Sequence, residues 1–207
     1  MSDNAISGTL NARTLRMYED YAGEYALRVG DQPDPDRCQW LQRLRNAAGT
    51  RARILEVGSG AGRDADYLES LGCHVRRTDA SQAFLDLQTA RGHQAHLLNV
   101  ITDDLVAPSE RGYDAIVAMC VLIHVDRPLL PGVLAKAREA VRANGLFLVS
   151  VREGVGDELS STCFTSLWRP GEFELLVIDS GFFIESTGRY EDCFGDVWGT
   201  LLCRRVS

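Results

Sequence analysis

The fold is decided by one stretch of the chain, Ile54-Leu-Glu-Val-Gly58-Ser-Gly60-Ala-Gly62-Arg63-Asp64. The residues before Gly58 predict a short buried strand, and those after Gly62 predict an amphipathic helix. In doubly wound α/β sheets, a glycine-rich turn between the first strand and the first helix lies beside the ligand-binding crevice. The sequence therefore predicts that a nucleotide-like ligand binds at this turn.

The spacing of the glycines narrows the class of ligand. Dinucleotide-binding turns follow Gly-x-Gly-x-x-Gly and place a pyrophosphate at the helix N-terminus. Here Gly58, Gly60 and Gly62 alternate, and Arg63 takes the place of the last glycine. An acidic residue, Glu56, stands two positions before the first glycine. This pattern favours a ligand with a cationic amino group over one with a pyrophosphate.

A second acidic residue, Asp79, follows the next predicted strand, 17 residues after Gly62. A carboxylate at the tip of that strand can accept hydrogen bonds from two neighbouring ribose hydroxyls. The alternative interpretation is a helix-capping or solvated aspartate. The combination of strand, glycine turn, helix, second strand and acid favours ribose binding.

Strands and helices alternate after this turn, as in a parallel sheet covered by helices. Strands are predicted at Arg53–Val57, His74–Thr78, Gln94–Leu98, Asp114–Met119 and Leu146–Val151, and helices at Arg63–Leu71, Gln82–Arg91 and Leu129–Val141. The tail predicts a helix at Pro170–Ser180 and two strands that must pair antiparallel because their connection is short, Phe182–Tyr190 and Val197–Arg205. The predicted fold class is α/β, a Rossmann-like doubly wound sheet.

Two further helices, Thr14–Arg28 and Pro35–Ala47, are predicted before the sheet. The length of 207 residues favours one domain. We therefore expect a single domain over residues 1–207, with residues 1–50 as a helical cap and residues 51–207 as the α/β core.

The composition excludes several classes of protein. A net charge of −7 and scattered arginines disfavour a nucleic-acid partner. The apolar runs are too short to cross a membrane, and the N-terminus does not resemble a signal peptide, so we expect a cytoplasmic protein. Six widely spaced cysteines without a Cys-x-x-Cys pair give no metal signature and are interpreted as buried thiols.

Four segments resemble the class I S-adenosylmethionine-dependent methyltransferases: Leu55–Asp64, Val75–Ser81, Tyr113–Val125 and Glu139–Ser150. The Gly-Arg-Asp that ends the first segment is similar to the tellurite-resistance-type, small-molecule branch. The resemblance covers residues 50–205, approximately. It implies a seven-stranded sheet in the order 3-2-1-4-5-7-6, with strand 7 antiparallel, and S-adenosylmethionine as the cofactor.

The resemblance also implies roles for individual residues. Gly58, Ser59 and Gly60 would pass under the methionine and ribose parts of the cofactor, and Asp79 would hold the ribose. The amino-acid end would meet Glu56 together with Arg63 or Asp64. The adenine would lie against Ala80, with Asn99 and the neighbouring Val100 where the family usually has an acid. The cofactor cradle would continue through Met119, Cys120 and Val121.

Other candidates concern the lid and the chemistry. Tyr21 and Tyr25 lie on the first predicted helix, which is interpreted either as a lid over the cofactor or as ordinary core packing. His124, after the fourth strand, is a candidate general base, or else a helix-entry histidine. Glu153, beyond the fifth strand, is a second candidate base, or else a solvated loop residue.

The predicted function is methyl transfer to a small-molecule acceptor, with a hydroxyl, amine or carboxylate as the acceptor group, or to a peptide. Acceptor contacts are expected from residues 1–50 and from Arg152–Arg169, where Phe164 and Trp168 suggest a partly apolar acceptor. One alternative is an NAD(P)-dependent oxidoreductase, which the glycine spacing disfavours. Another is a non-catalytic cofactor-binding partner protein, which only a product assay distinguishes.

Overall fold

A computed structural model describes residues 3–106, 112–192 and 195–206, with side chains from Leu10 onward. Its helices are α1 (Asp3–Val29), α2 (Pro35–Ala48), α3 (Arg63–Ser70), α4 (Gln82–Ala90), α5 (Leu130–Ala140) and α6 (Glu172–Asp179). Its strands are β1 (Arg53–Val57), β2 (His74–Asp79), β3 (Ala95–Leu97), β4 (Tyr113–Met119), β5 (Val141–Arg152), β6 (Asp157–Leu159), β7 (Phe164–Ser166), β8 (Phe182–Glu191) and β9 (Val197–Arg205).

Seven strands form one sheet in the order β3-β2-β1-β4-β5-β9-β8. Strands β1 to β5 pair in parallel, and β9 runs antiparallel to both of its neighbours. The strands β6 and β7 form a separate hairpin. If the strands of the large sheet alone are numbered, β8 and β9 become strands 6 and 7, and the order is 3-2-1-4-5-7-6 with an antiparallel strand 7. The predicted fold is therefore confirmed, and the hairpin is an addition that the sequence did not predict.

Helices cover both faces of the sheet. One apolar layer contains Tyr113, Phe147 and Phe182, and the other contains Trp40 and Leu41 of α2. The central strands β1 and β4 are buried on both faces, as parallel strands in such a sheet must be. All the carboxyl ends of β1 to β5 consequently open on the same edge.

The boundary between α5 and β5 differs from the predicted one. The helix ends at Ala140, because Val141 is already extended and pairs with Tyr113. The pairing then shifts register before Ala115 meets Leu146. The intervening turn holds Asn144 at φ +59°. We predicted a helix through Val141, but the chain is extended from that residue onward, so the turn at Asn144 lies within β5.

Helix α1 is fixed to the rest of the chain at several points. The Glu19 carboxylate accepts the backbone N–H groups of Gln82 and Ala83, at 2.5 and 3.0 Å, and so caps α4. Arg63 Nη1 donates to the Val29 carbonyl at 3.0 Å. These contacts hold α1 across the edge where the parallel strands end.

Among the residues that the structure describes, no helix has the length and apolar character that a membrane span requires. Cys193 lies outside the described residues, and the other five cysteines are free thiols. Only Cys73 and Cys203 of these five are buried, so the interpretation of all six as buried thiols was too broad.

Candidate functional site

The glycine loop bends sharply between β1 and α3. Gly58, Gly60 and Gly62 all have left-handed backbones, with φ values of +65°, +54° and +87°. A Cβ atom on Gly58 would lie 2.4 Å from the Val121 side chain. Glycine at position 58 therefore lets the loop pass close to Val121, just beyond the end of β4, and both residues line the same cleft.

Asp79 faces this cleft from the tip of β2. Its Oδ2 accepts the Gly60 N–H at 2.8 Å, and its Oδ1 accepts the Ser81 N–H at 2.9 Å. Burial raises the pKa of this carboxyl, while the two backbone N–H groups act in the opposite direction. The carboxylate is thus oriented by the loop, and its remaining lone pairs are available to a diol in the cleft.

Two acidic side chains and one arginine meet at the other end of the cleft. Glu56 is 3% exposed, and its Oε2 has no hydrogen-bond partner; the same holds for Oδ1 of the buried Asp64. Arg37 Nε lies 2.7 Å from the other Asp64 oxygen, Oδ2. Burial, and next the Asp64 charge, raise the pKa of Glu56 to about 8. A second guanidinium, that of Arg63, lies 3.8 Å from Asp64 Oδ1. The acceptor that remains for a ligand at this end is therefore Glu56 Oε2.

Arg37 was missed at the level of sequence, although a signal was present. It lies three, four and seven positions before Trp40, Leu41 and Leu44, which form the buried face of α2. An arginine on an apolar helical face needs a partner of opposite charge. Here that partner is Asp64.

The structure brings nearly all of the predicted cofactor residues to this one cleft. Those that line it are Tyr25, Glu56, Gly58, Ser59, Gly60, Arg63, Asp64, Asp79, Ala80, Asn99, Val100, Met119, Cys120 and Val121, together with His124. Sequence reasoning did not assign several others, among them Asn11, Thr14, Tyr18, Arg37 and Phe84.

Tyr21 does not line the cleft, which corrects its prediction as a cofactor residue. Tyr18 and Tyr25 are seven residues apart and so lie on one face of α1. The two cleft tyrosines contact each other edge to face at 5.7 Å, and each also contacts the Phe84 ring. The three rings form an aromatic wall beside Ala80.

Glu153 also lies outside the cleft, so its prediction as a base is corrected. Its carboxylate accepts Arg189 Nε at 2.7 and 2.9 Å, within an ion pair between β5 and β8. The backbone of Glu153 bonds to Val197, which turns the side chain toward the antiparallel end of the sheet. Its charge is therefore used in a structural contact.

Trp168 is a core residue and does not face an acceptor. It is 4% exposed, packs on Phe173 at 5.1 Å and lies under Arg127 at 3.9 Å. Phe164 is buried too, but its backbone reaches the cleft wall: its N–H donates to Thr14 Oγ1 at 3.0 Å. The segment after β5 thus contributes to the site through its backbone.

His124 forms a hydrogen-bonded pair with Tyr18 at the open end of β4. Its Nδ1 lies 2.8 Å from the Phe164 carbonyl, which can only accept, so Nδ1 carries the hydrogen. Its Nε2 is then the acceptor for the Tyr18 hydroxyl at 3.0 Å. Burial lowers the pKa of His124 and raises that of Tyr18, so both groups are neutral near pH 7.

Asn99, which the resemblance predicts to accept a hydrogen bond from the adenine, lines the cleft after β3. Its Oδ1 already accepts the Ile101 N–H at 3.0 Å. An amide oxygen has a second lone pair, so it can accept one more hydrogen bond. Asn99 therefore offers the cleft a neutral acceptor, which binds a donor less strongly than a carboxylate.

The comparisons with known proteins agree with this geometry. A family described as a methyltransferase domain matches residues 55–147. The probable S-adenosyl-L-methionine-dependent methyltransferase TehB of Haemophilus influenzae is 27% identical over 100 residues, 47% of this chain and 35% of that protein. A ubiquinone biosynthesis O-methyltransferase of Albidiferax ferrireducens is 27% identical over 138 residues, 61% of this chain and 54% of the relative. The chain therefore spans only about a third to a half of these relatives.

A solved structure extends the likeness to the whole chain. The 1,6-didemethyltoxoflavin-N1-methyltransferase of Burkholderia thailandensis, with bound S-adenosylhomocysteine, has a TM-score of 0.78. It is 18% identical and covers 100% of this chain and 92% of its own. At this identity the likeness establishes the fold alone. The fold, the domain match over residues 55–147 and these relatives together support a class I S-adenosylmethionine-dependent methyltransferase.

Proposed function

We propose that this protein transfers a methyl group from S-adenosylmethionine to a small-molecule acceptor through a hydroxyl or an amine. The observation that carries the proposal is the cleft itself. Its floor is the glycine loop, its far end holds the buried Glu56, whose Oε2 has no hydrogen-bond partner, beside the Asp64–Arg37 ion pair, and α1 covers it with Tyr18 and Tyr25.

The residues of the cleft fit the cofactor at both ends. Glu56 Oε2 is buried without a hydrogen-bond partner, and the α-ammonium group of the cofactor would supply one to its carboxylate. Asp79, held by the Gly60 N–H, offers its carboxylate to the ribose hydroxyls. When bound, the cofactor supplies an electrophilic methyl group on its sulfonium.

The acceptor end of the cleft is uncharged. Asn11, Thr14, Leu15 and the neutral pair Tyr18 and His124 line it. An acceptor O–H can pass its proton to the Tyr18 oxygen while Tyr18 gives its own proton to His124 Nε2, whose Nδ1–H remains on the Phe164 carbonyl. This arrangement favours an acceptor that loses a proton over one that is already anionic.

The closure by α1 supports a small acceptor. The helix is held across the cleft through Glu19, Thr14 and Val29, so a bulky polymer has little access. The name of the Burkholderia neighbour gives a small heterocycle as its substrate, and that of the Albidiferax relative gives ubiquinone biosynthesis. The net charge of −7 disfavours a nucleic acid.

A label-transfer experiment tests the proposal. The protein is incubated with methyl-labelled S-adenosylmethionine and an extract of its source cells, which is then separated into low-molecular-mass, protein and nucleic-acid fractions. We expect label in the low-molecular-mass fraction, and no transfer with Asp79→Ala. Label confined to protein or nucleic acid contradicts a small acceptor. Tight binding of S-adenosylhomocysteine without transfer favours the non-catalytic alternative.

The Tyr18 and His124 pair gives a prediction that needs no acceptor. Tyr18→Phe keeps the ring but removes the O–H donor that stabilises the neutral imidazole, so the pKa of His124 should rise. Imidazole NMR signals followed against pH measure this change. His74, exposed at the opposite edge of the sheet, is the internal control. An unchanged His124 titration curve would show that the Tyr18 hydroxyl does not bond to the ring.

A further inference from the structure

Three side chains behind the glycine loop donate hydrogen bonds to three consecutive backbone carbonyls. Gln88 Nε2 donates to the Gly60 carbonyl at 2.9 Å, and Arg77 Nη1 donates to the Gly62 carbonyl at 3.4 Å. Arg91 donates to the carbonyl between them, that of Ala61. None of the three side chains is among those that line the cleft, so they support the loop from its other side.

Gln88 is the centre of this support. It lies on α4 and is completely buried, and both ends of its amide are used. While Nε2 donates to the loop, Oε1 accepts Arg77 Nη1 at 3.4 Å. Arg77, 1% exposed, is itself held by Asp66 and Glu69 at 2.7 and 2.6 Å. The amide therefore has one orientation, with its donor on Gly60.

The loop packs directly on this support. A Cβ atom on Gly62 would lie 2.8 Å from Gln88 Oε1 and 2.9 Å from Arg77 Nη1. Gly60 is held from two directions, since its N–H donates to Asp79 and its carbonyl accepts from Gln88. These two bonds set the peptide planes on either side of its left-handed Cα, so rotation of either plane breaks one of them.

We infer that Gln88, with Arg77 and Arg91 beside it, is a positioning residue for cofactor binding, acting through the Gly60 peptide on the Asp79 carboxylate. The inference rests on the proposed function, because the cofactor is the ligand that responds to the loop. Without the Gln88 donor, the peptide plane that follows Gly60 loses its anchor. The left-handed Gly60 joins this plane to the one whose N–H bonds to Asp79, so the orientation of that N–H is then less restricted. Gln88 thus affects affinity without touching the ligand.

Two substitutions of Gln88 test the contribution of its N–H donor independently of its oxygen and its size. Gln88→Met removes both polar atoms at similar length, whereas Gln88→Glu removes the donor and keeps an acceptor for Arg77. We expect each variant to bind S-adenosylhomocysteine about tenfold more weakly in calorimetry, because each lacks the donor. Gln94→Glu makes the same charge change at an exposed site and should bind like the wild type. Thermal unfolding of the same samples reports on folding.

A double-mutant cycle distinguishes positioning from a general effect on the fold. If Gln88 acts through Gly60 on Asp79, then Gln88→Met combined with Asp79→Asn weakens binding by less than the product of the two separate effects. Arg91→Met tests the same support of the loop at a second residue. The Arg91 guanidinium is partly exposed, so its loss leaves the core intact. This substitution should weaken binding about threefold or more.

The outcomes separate this inference from the proposed function. A wild-type protein that does not bind S-adenosylhomocysteine contradicts the proposed function and the inference with it. If the wild type binds, then Gln88 variants with wild-type affinity overturn the inference alone. Effects that simply multiply in the double mutant also overturn it, because Gln88 would then be a core residue without a link to Asp79.

Discussion

Raising the pH from 6 to 8 should tighten the binding of S-adenosylhomocysteine by up to about 50-fold. Burial and the Asp64 charge raise the pKa of Glu56 to about 8, so in the free protein below that pH the carboxyl is mostly protonated. A bound ammonium group requires the carboxylate, so binding releases this proton. Affinity therefore rises with pH, by at most about tenfold per unit, and levels off above about pH 8.

Calorimetry at several pH values, in two buffers with different ionisation enthalpies, measures both the affinity and the released proton. Glu56→Gln should bind more weakly and show a flat pH profile over this range. Methylthioadenosine, which lacks the amino-acid part of the ligand, should release no proton. An affinity for S-adenosylhomocysteine that does not change between pH 6 and 8 would disprove the assignment of Glu56 to the ammonium group.

The same residue makes the stability of the free protein depend on pH. The folded protein keeps the Glu56 proton up to about pH 8, whereas the group in its ordinary environment releases it near 4.5. The unfolded state therefore binds fewer protons between these values, and the contribution of Glu56 to the free energy of unfolding falls as the pH rises. Glu56→Gln should remove this part of the pH dependence.

Asp79→Ala should weaken the binding of S-adenosylhomocysteine by about 100-fold or more. The substitution removes the acceptor for two ribose hydroxyls, and hydrogen bonds to a charged group contribute roughly 1.5–3 kcal/mol each. It also releases the Gly60 and Ser81 N–H groups, which the carboxylate holds in place. Both effects act in the same direction, so no compensation is expected.

Calorimetry with S-adenosylhomocysteine measures the loss. Asp86→Ala, at an exposed position on α4, is the matched control and should bind like the wild type. Asp79→Asn keeps one acceptor oxygen and should lie between the two. Wild-type affinity in Asp79→Ala would contradict a ribose at the tip of β2, and with it the orientation of the cofactor proposed above.

The part of the site that could be predicted from the sequence lies in short, continuous segments of the chain. The glycine turn, Glu56 and Asp79 each lie at the end of a strand, and parallel strands present their carboxyl ends at one edge. The meeting of strand ends that are distant in sequence can therefore be predicted without knowing how the helices pack. Glu153 and Trp168 show the limit, because beyond β5 they form an isolated parallel bridge with each other and neither side chain lines the cleft.

The sequence by itself determined the parallel sheet, its glycine turn and the two acids at its edge, because strand periodicity and turn chemistry are local. Only the tertiary structure decided which side chains act together across long distances in the chain. Tyr18 meets His124, Arg37 meets Asp64, and Gln88 reaches Gly60. These pairs depend on how the helices pack on the sheet, because that packing sets the direction of each side chain. The spacing of residues along the sequence does not determine it.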